Sequence, residues 1–201
     1  MIHMKLAEAF AFSAPVVCAV ICMIMMLMDA HARRSNPVER RLRLFLAFAY
    51  LVSLLGWLGM VFFVLSPRVF VYYYTVFLLT LMLDQVMIYR FVSIITNTGE
   101  HPKFNRLHLI IPLLIIAVSA TGSLLVPVDR QMDIIYGDAG YNSWFRVMYV
   151  TANVIFVVYN SLYPALNLRN IRRYREFIVN YSADAYYTSL NWQTIIQVLI
   201  L

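Results

Sequence analysis

Apolar residues run along this chain in long stretches that are separated by short polar segments. Five of the stretches have about twenty residues, the length that a helix needs to cross the hydrocarbon core of a bilayer. A helix satisfies its own backbone hydrogen bonds, so it is the element that such a stretch forms in lipid. The pattern therefore predicts an all-α polytopic membrane helical bundle with five complete transmembrane helices. The stretches cover residues 6–28, 44–65, 69–92, 107–126 and 144–168.

A sixth apolar stretch occupies residues 191–201 and is too short to cross a bilayer. We interpret it as the start of a sixth membrane helix. Neither an internal repeat nor a low-complexity linker divides the rest of the chain. We therefore predict a five-helix transmembrane bundle over residues 1–168, a cytoplasmic basic amphipathic connector over 169–190, and the start of the sixth helix over 191–201.

Composition agrees with a membrane location. Of the 201 residues, 62% are hydrophobic and 13% are charged, whereas a soluble domain is about 25% charged. Two cysteines, Cys18 and Cys22, lie inside the first apolar stretch and cannot form a disulfide framework. A cleaved signal peptide is the alternative for that stretch. The stretch is longer than a usual signal core and begins beside Lys5 and Glu8, so we interpret it as a retained helix.

Basic residues are concentrated in every second connection between the predicted helices. Cytoplasmic loops of membrane proteins carry an excess of lysine and arginine. These three connections are therefore expected on the cytoplasmic side, which places the N-terminus outside. The residues concerned are Arg33, Arg34, Arg40, Arg41 and Arg43 in the first connection, Arg90, Lys103 and Arg106 in the second, and Arg169, Arg172, Arg173 and Arg175 in the third.

Two of the predicted helices carry polar residues inside their apolar stretches. Asp84 and Gln85 lie in the third helix, and a carboxylate there usually faces the protein interior or a wet cavity. The fifth helix carries Asn153, Asn160 and Asn167 at intervals of seven residues, nearly two turns, which places them along one seam. Asparagine in a membrane helix tends to hydrogen-bond to a neighbouring helix. We therefore expect this seam to meet Asp84 or Gln85, with Asp84 in contact with the fifth helix.

Motifs of common enzymes and nucleotide-binding proteins are missing from the sequence, including the P-loop, H-E-x-x-H and G-x-S-x-G. The four histidines are scattered over both sides of the predicted bundle and do not suggest a metal site. We predict no enzymatic activity, no cofactor and no metal. Two interpretations of the polar candidates stay open. They are either packing contacts or a ligand or proton site, and the second would suit a small transporter or channel subunit.

The predicted connector combines arginines with a short helical seam. Ile171, Tyr174, Ile178 and Tyr181 are spaced three, four and three residues apart, which is an a/d pattern. This seam could pack on the bundle or on a second copy of the chain, and the arginines could face anionic lipid. A basic loop that only fixes topology is the alternative. The candidate connector residues are Arg169, Arg172, Arg173, Tyr174, Arg175, Tyr181 and Trp192.

The stretch RRYREFIVNYSADAYYTSLNW resembles the connector in multi-helix membrane sensors at the N-termini of bacterial AraC-type helix-turn-helix regulators. The five upstream helices agree with that family in number and order, without a specific motif. The features that carry the resemblance are Arg172, Arg173, Tyr174, Phe177, Tyr181, Ser182, Asp184, Ser189, Leu190 and Trp192.

The resemblance implies a sensory module in the bacterial inner membrane that passes a signal to a cytoplasmic output domain. No helix-turn-helix pattern lies within these residues, so DNA would be contacted only through a downstream domain. The expected direct partners are membrane lipid and, through the connector, a second copy of the chain.

We predict that Ser35 is cytoplasmic and that Gly140 is outside, because of the distribution of basic residues. Single cysteines at these positions, in a background without Cys18 and Cys22, should be labelled from opposite sides of the membrane. Labelling of Ser35→Cys in intact cells by a reagent that cannot cross the membrane contradicts the predicted topology.

Overall fold

The computed structural model describes residues 2–96, 105–137 and 144–181, together with residue 195. Within these residues all regular elements are helices, and five of them are long and apolar enough to cross a membrane. The predicted all-α membrane bundle with five spanning helices is confirmed. The helices are α1 (Ile2–Ala32), α2 (Pro37–Leu65), α3 (Pro67–Ile95), α4 (Leu107–Leu125), α5 (Val128–Tyr136) and α6 (Trp144–Tyr181).

Proline residues and a capping side chain determine where the second and third helices begin. The Asn36 side chain accepts hydrogen bonds from the backbone N–H groups of Val38 and Glu39, at 3.2 and 3.3 Å, and so caps α2. Pro37 and Pro67 begin α2 and α3, where a missing N–H costs no helical hydrogen bond. Because α2 starts at its cap, it includes the arginines that precede the predicted apolar stretch.

Neighbouring helices α1 to α4 alternate in direction, and α6 runs parallel to α3. The stacking of Phe12 on Trp57 and the 2.8 Å ion pair between Asp29 and Arg43 align α1 with α2 in opposite directions. In contrast, Tyr74 lies beside Tyr149 near the start of α3 and α6. The described arginines of the three basic connections consequently lie at one end of the bundle, which we call the arginine end. The opposite end, where α5 lies, is the α5 end.

Helix α3 is the centre of the bundle. It contacts α2, α4, α5 and α6, and its residues Leu78, Met82 and Val86 are fully buried. Helix α1 packs on α2 at the edge and leaves large apolar residues such as Phe10 and Met28 exposed. Such exposed apolar faces suit contact with lipid, which is as apolar as the side chains themselves.

Helix α5 lies between the fourth and fifth predicted spanning stretches. The Gln131 side chain donates to the backbone oxygens of Ser123 (2.8 Å) and Val126 (2.6 Å), which holds α5 against the end of α4. Tyr136 donates to the backbone oxygen of Phe63 at 3.0 Å. Burial, helped by nearby Tyr149, raises the pKa of Tyr136 to about 12, so this donor keeps its proton at neutral pH.

Helix α6 continues without a break through the predicted boundary between residues 168 and 169. The first part of the predicted connector is therefore an extension of the fifth spanning helix. Its arginines from Arg169 to Arg175 follow directly on the apolar part. Trp192 and the predicted start of the sixth helix lie outside the described residues, apart from residue 195.

Two glycines allow α2 and α3 to approach closely. A Cβ atom at Gly59 would overlap the ring of Phe77 and lie 3.1 Å from the Cβ atom of that residue. A Cβ atom at Gly56 would instead lie 3.4 Å from Leu81 and 3.5 Å from Thr80, at ordinary contact distances. Only the first position therefore requires the absence of a side chain.

We predict opposite effects for alanine at these two glycines. Gly59→Ala should lower the free energy of unfolding by about 1–3 kcal/mol, because the packed Phe77 ring must move. Gly56→Ala should be neutral or stabilising by up to about 1 kcal/mol, because alanine favours the helix. Unfolding of both variants in mixed micelles measures the difference. Equal free energies of unfolding would show that α2 does not approach α3 as closely as described.

Candidate functional site

Two asparagines of α6 form hydrogen bonds with polar groups of α3. The Gln85 side chain donates to the Asn160 side-chain oxygen at 3.0 Å, and Asn160 donates in turn to the backbone oxygen of Phe156 at 2.9 Å. Gln85 is buried between the helices. A direct hydrogen bond between side chains thus joins two spanning helices inside the apolar layer.

The other two asparagines lie on the same side of α6. Asn153 donates to the Tyr74 hydroxyl at 3.1 Å and to the backbone oxygen of Tyr149 at 2.8 Å. Asn167 is completely buried towards the arginine end. The seven-residue spacing therefore places these polar groups along the side of α6 that faces the bundle. We call Gln85, Tyr74 and the three asparagines the polar seam.

Asp84 is not joined to the polar seam. Successive residues of an α-helix point about 100° apart, so Asp84 and Gln85 cannot both face α6. Thr80 and Phe77, which lie one and two turns before Asp84, face the glycines of α2. Among the described residues, none forms a hydrogen bond or ion pair with the half-buried Asp84 carboxylate. The expected contact between Asp84 and the fifth helix is thus made by Gln85.

A second polar contact was not predicted from the sequence. His108 of α4 lies 2.8 Å from the Tyr163 hydroxyl of α6, at hydrogen-bond distance. The ring of Tyr89 packs against both, at centroid distances of 5.2 and 5.6 Å, and Tyr159 lies one turn before Tyr163. We call these four residues the His108 cluster. The sequence signal was the Tyr159–Tyr163 spacing, but nothing in it indicated that α4 supplies the partner.

The contacts of α6 coincide with a weak point in its backbone. Pro164 lies inside the helix and has no N–H group, so the backbone oxygen of Asn160 receives no hydrogen bond from it. Asn160 is also the residue that holds Gln85. In addition, the Gln85 side-chain oxygen is buried and accepts no hydrogen bond from the described residues. Such unmet groups lower the cost of rearranging a contact.

Three arginines at the end of α6 line an open groove on the surface of that helix. Ile171 is completely buried and Tyr174 is half-buried, while Arg172 and Arg173 are exposed. The first two residues of the predicted a/d seam thus face inward, while the side chains of Ile178 and Tyr181 lie outside the described part. The groove has a volume of about 500 Å³ and is lined by Ala165, Leu168, Arg169, Arg172, Arg173 and Glu176.

The polar seam joins spanning helices to one another. One hydrogen bond connects Gln85 with Asn160, and another connects Asn153 with Tyr74. Among the residues that the structure describes, no three histidine, cysteine or acidic side chains come together to hold a metal ion.

No protein-family model matches the chain, and no curated protein and no solved structure matches it. Function is therefore inferred from the residues and contacts described above.

We predict a measurable coupling between Gln85 and Asn160. In a double-mutant cycle of Gln85→Leu and Asn160→Leu, the coupling should be about 0.6–1.7 kcal/mol, the range for side-chain hydrogen bonds within membranes. Ser161→Ala is the matched control, because that exposed hydroxyl bonds only to its own helix, at the Val157 oxygen. Unfolding free energies in bicelles measure the cycle. Additive effects of the two leucine substitutions would contradict a direct contact.

Proposed function

We propose that this chain is the membrane-embedded input module of a bacterial signalling or transcription-regulatory protein. In this proposal it lies in the inner membrane with its N-terminus outside and the arginine end in the cytoplasm. It transmits a signal to a cytoplasmic output domain outside these 201 residues. The observation that carries the proposal is the unbroken helix α6, which begins at the α5 end and continues past the arginine end.

The length of α6 supports a role in transmission. Its 38 residues extend over about 57 Å at 1.5 Å per residue, whereas the hydrocarbon core is about 30 Å thick. A shift or rotation of the membrane part would therefore be carried directly to Arg172, Arg173 and Tyr174. A loop at residue 169 would have absorbed such a motion.

The contacts of α6 support a helix with more than one stable position. Transmission requires an element with two arrangements whose balance a stimulus changes. The Gln85–Asn160 bond and the His108–Tyr163 contact are single interactions beside Pro164, where α6 lacks one backbone hydrogen bond. We propose that α6 moves about Pro164 and that these contacts differ between the two positions.

The basic extension supports a location at an anionic membrane surface. Each arginine near such a surface contributes about 1 kcal/mol of attraction. Arg172 and Arg173 are exposed and can contribute to it, whereas Ile171 is buried. Lipid would therefore hold the extension of α6 while Ile171 packs against protein.

A second candidate function is a small transporter or channel subunit, and the observation that favours it is Asp84. A carboxylate inside a spanning helix usually marks an ion or proton path, and Asp84 has no charged partner among the described residues. Proteoliposomes that contain a pH-sensitive dye distinguish the two functions. Proton flux that disappears in Asp84→Asn would favour transport over signalling.

We predict that output depends on the helical phase of α6 beyond Arg173. One alanine inserted between Arg173 and Tyr174 turns the following residues by about 100°. Seven alanines turn them through about two full turns and restore the phase to within about 20°. In the full-length protein, the single insertion should lock or abolish output, and the seven-residue insertion should largely restore its response. A reporter for the output measures both.

The parent protein and Arg172→Lys are the controls, because lysine keeps the charge that fixes topology. Before the insertions are made, the coding sequence downstream of Leu201 is read. A reading frame without a soluble output domain contradicts the proposal. Equal output from the one- and seven-residue insertions would show that the basic segment only fixes the topology of the chain.

A further inference from the structure

Helices α4 and α6 leave a cleft between them in the half of the bundle nearer the α5 end. The α4–α6 cleft has a volume of about 360 Å³, at the lower end of the range for small-molecule sites, about 300–1,000 Å³. Its buried floor includes Ile115, Ser119 and Ala152, and its walls include the exposed Val118 and Val147. The cleft therefore opens on a side of the bundle that is covered with apolar residues.

One polar atom on the floor has no partner. Ser119 is 1% exposed, and its hydroxyl forms no hydrogen bond with the described residues. Hydroxyls in spanning helices usually bond to the preceding turn, as Thr121 does to the Ala117 oxygen at 2.7 Å. A buried hydroxyl without a partner is costly. Ser119 lines the cleft, so a rotation of its side chain would bring the hydroxyl to a group that has entered, and a bond between them would remove that cost.

We infer that the α4–α6 cleft binds an uncharged, membrane-soluble amphiphile with one hydroxyl or carbonyl group, which bonds to Ser119. The lining contains no charged residue, which favours an uncharged ligand. Along α6 the cleft extends from Trp144 to Ile155, a length of about 16 Å. This shape suits a single medium-length alkyl chain.

The position of Ser119 favours the orientation of a membrane lipid. Ser119 lies six residues before Leu125, the last residue of α4, or about 9 Å from the α5 end. Trp144 forms the end of the cleft at that side, where aromatic residues commonly meet the membrane interface. The ligand's polar group would lie at Ser119, the first part of its chain would fill the cleft past Ile115, and the remainder would continue between lipid chains towards the bilayer centre.

Other occupants satisfy the site less well. A lipid acyl chain has no group for the Ser119 hydroxyl. A helix is about 10 Å in diameter and does not fit into a cleft with a volume of about 360 Å³. Its backbone groups are already hydrogen-bonded within the helix, so they cannot bond to Ser119. A second copy of the chain could supply only a side chain, from outside the walls.

The inference rests on the proposed function in one respect, since it assigns a ligand class to the input module. The cleft lies between α4 and α6, which also meet at His108 and Tyr163. A ligand in the cleft would separate or tighten these helices and so change the position of α6.

Photolabelling of the full chain in nanodiscs tests the binding. The probe is a decanol analogue with a diazirine on one of the carbons nearest its hydroxyl group, and mass spectrometry identifies the labelled residues. Label should concentrate on cleft residues of α4 and α6. Unlabelled 1-decanol should compete about fivefold more effectively than decane at the same membrane mole fraction, the factor expected for one hydrogen bond.

Ser119→Ala should remove the advantage of decanol over decane, because it deletes the hydroxyl and keeps the packing. Ser161→Ala should keep that advantage, since its hydroxyl lies outside the cleft. Val147→Trp should narrow the cleft, because Val147 lies in its exposed wall. Labelling of the cleft should therefore fall although Ser119 is unchanged.

Label spread evenly over exposed faces such as that of α1 overturns the inference, as does equal competition by decane and decanol. A disulfide between two copies of Val147→Cys in a background without Cys18 and Cys22 would also overturn it, because a second copy would then cover the cleft. These readouts measure occupancy and not output. Binding without phase-dependent output would leave the site standing and refute the input function.

Discussion

The bilayer core contains no water, and this constraint determines how the spanning helices are arranged. A polar group there is stabilised only by a partner in the protein, because lipid offers none. Gln85 and Tyr74 of α3 meet this requirement through Asn160 and Asn153 of α6. The same requirement makes α3 the central helix, since it carries the polar residues that cannot face lipid. Helix α1, which has fewer such residues, packs at the edge.

The bundle combines close helix contacts at glycines with contacts made through polar side chains. Helices α2 and α3 approach so closely that Gly59 has no room for a side chain, and the Tyr73 hydroxyl bonds to the Leu55 backbone oxygen across the same contact. Helix α6 packs on α3 through apolar core residues and through separate polar contacts, one of them near the missing backbone bond at Pro164. It also leaves a cleft beside α4. We interpret α1 to α3 as the fixed part of the protein and α4 with α6 as the adjustable part.

The size of the interactions makes that interpretation physically reasonable. Side-chain hydrogen bonds between membrane helices average about 0.6 kcal/mol. A ligand that prefers one position of α6 tenfold changes the balance by about 1.4 kcal/mol, which equals about two such bonds. An uncharged ligand with one hydrogen bond can therefore compete with the polar seam, whereas it could not open the glycine contact of α2 with α3.

The sequence by itself determined the spanning stretches, because a run of about twenty apolar residues is suited only to the hydrocarbon core of a bilayer. It also determined that the asparagines share one side of α6, since their spacing is nearly two helical turns. It did not determine which of Asp84 and Gln85 would meet them. Residue spacing gives angles within one helix, but the rotation of α3 against its neighbours depends on packing, here on the contact between Phe77 and Gly59. The partner of Tyr163, the short helix α5 and the unpaired Ser119 hydroxyl likewise depend on distances between helices that are remote in sequence. Only the tertiary structure fixes such distances, because the close packing of many side chains decides them together.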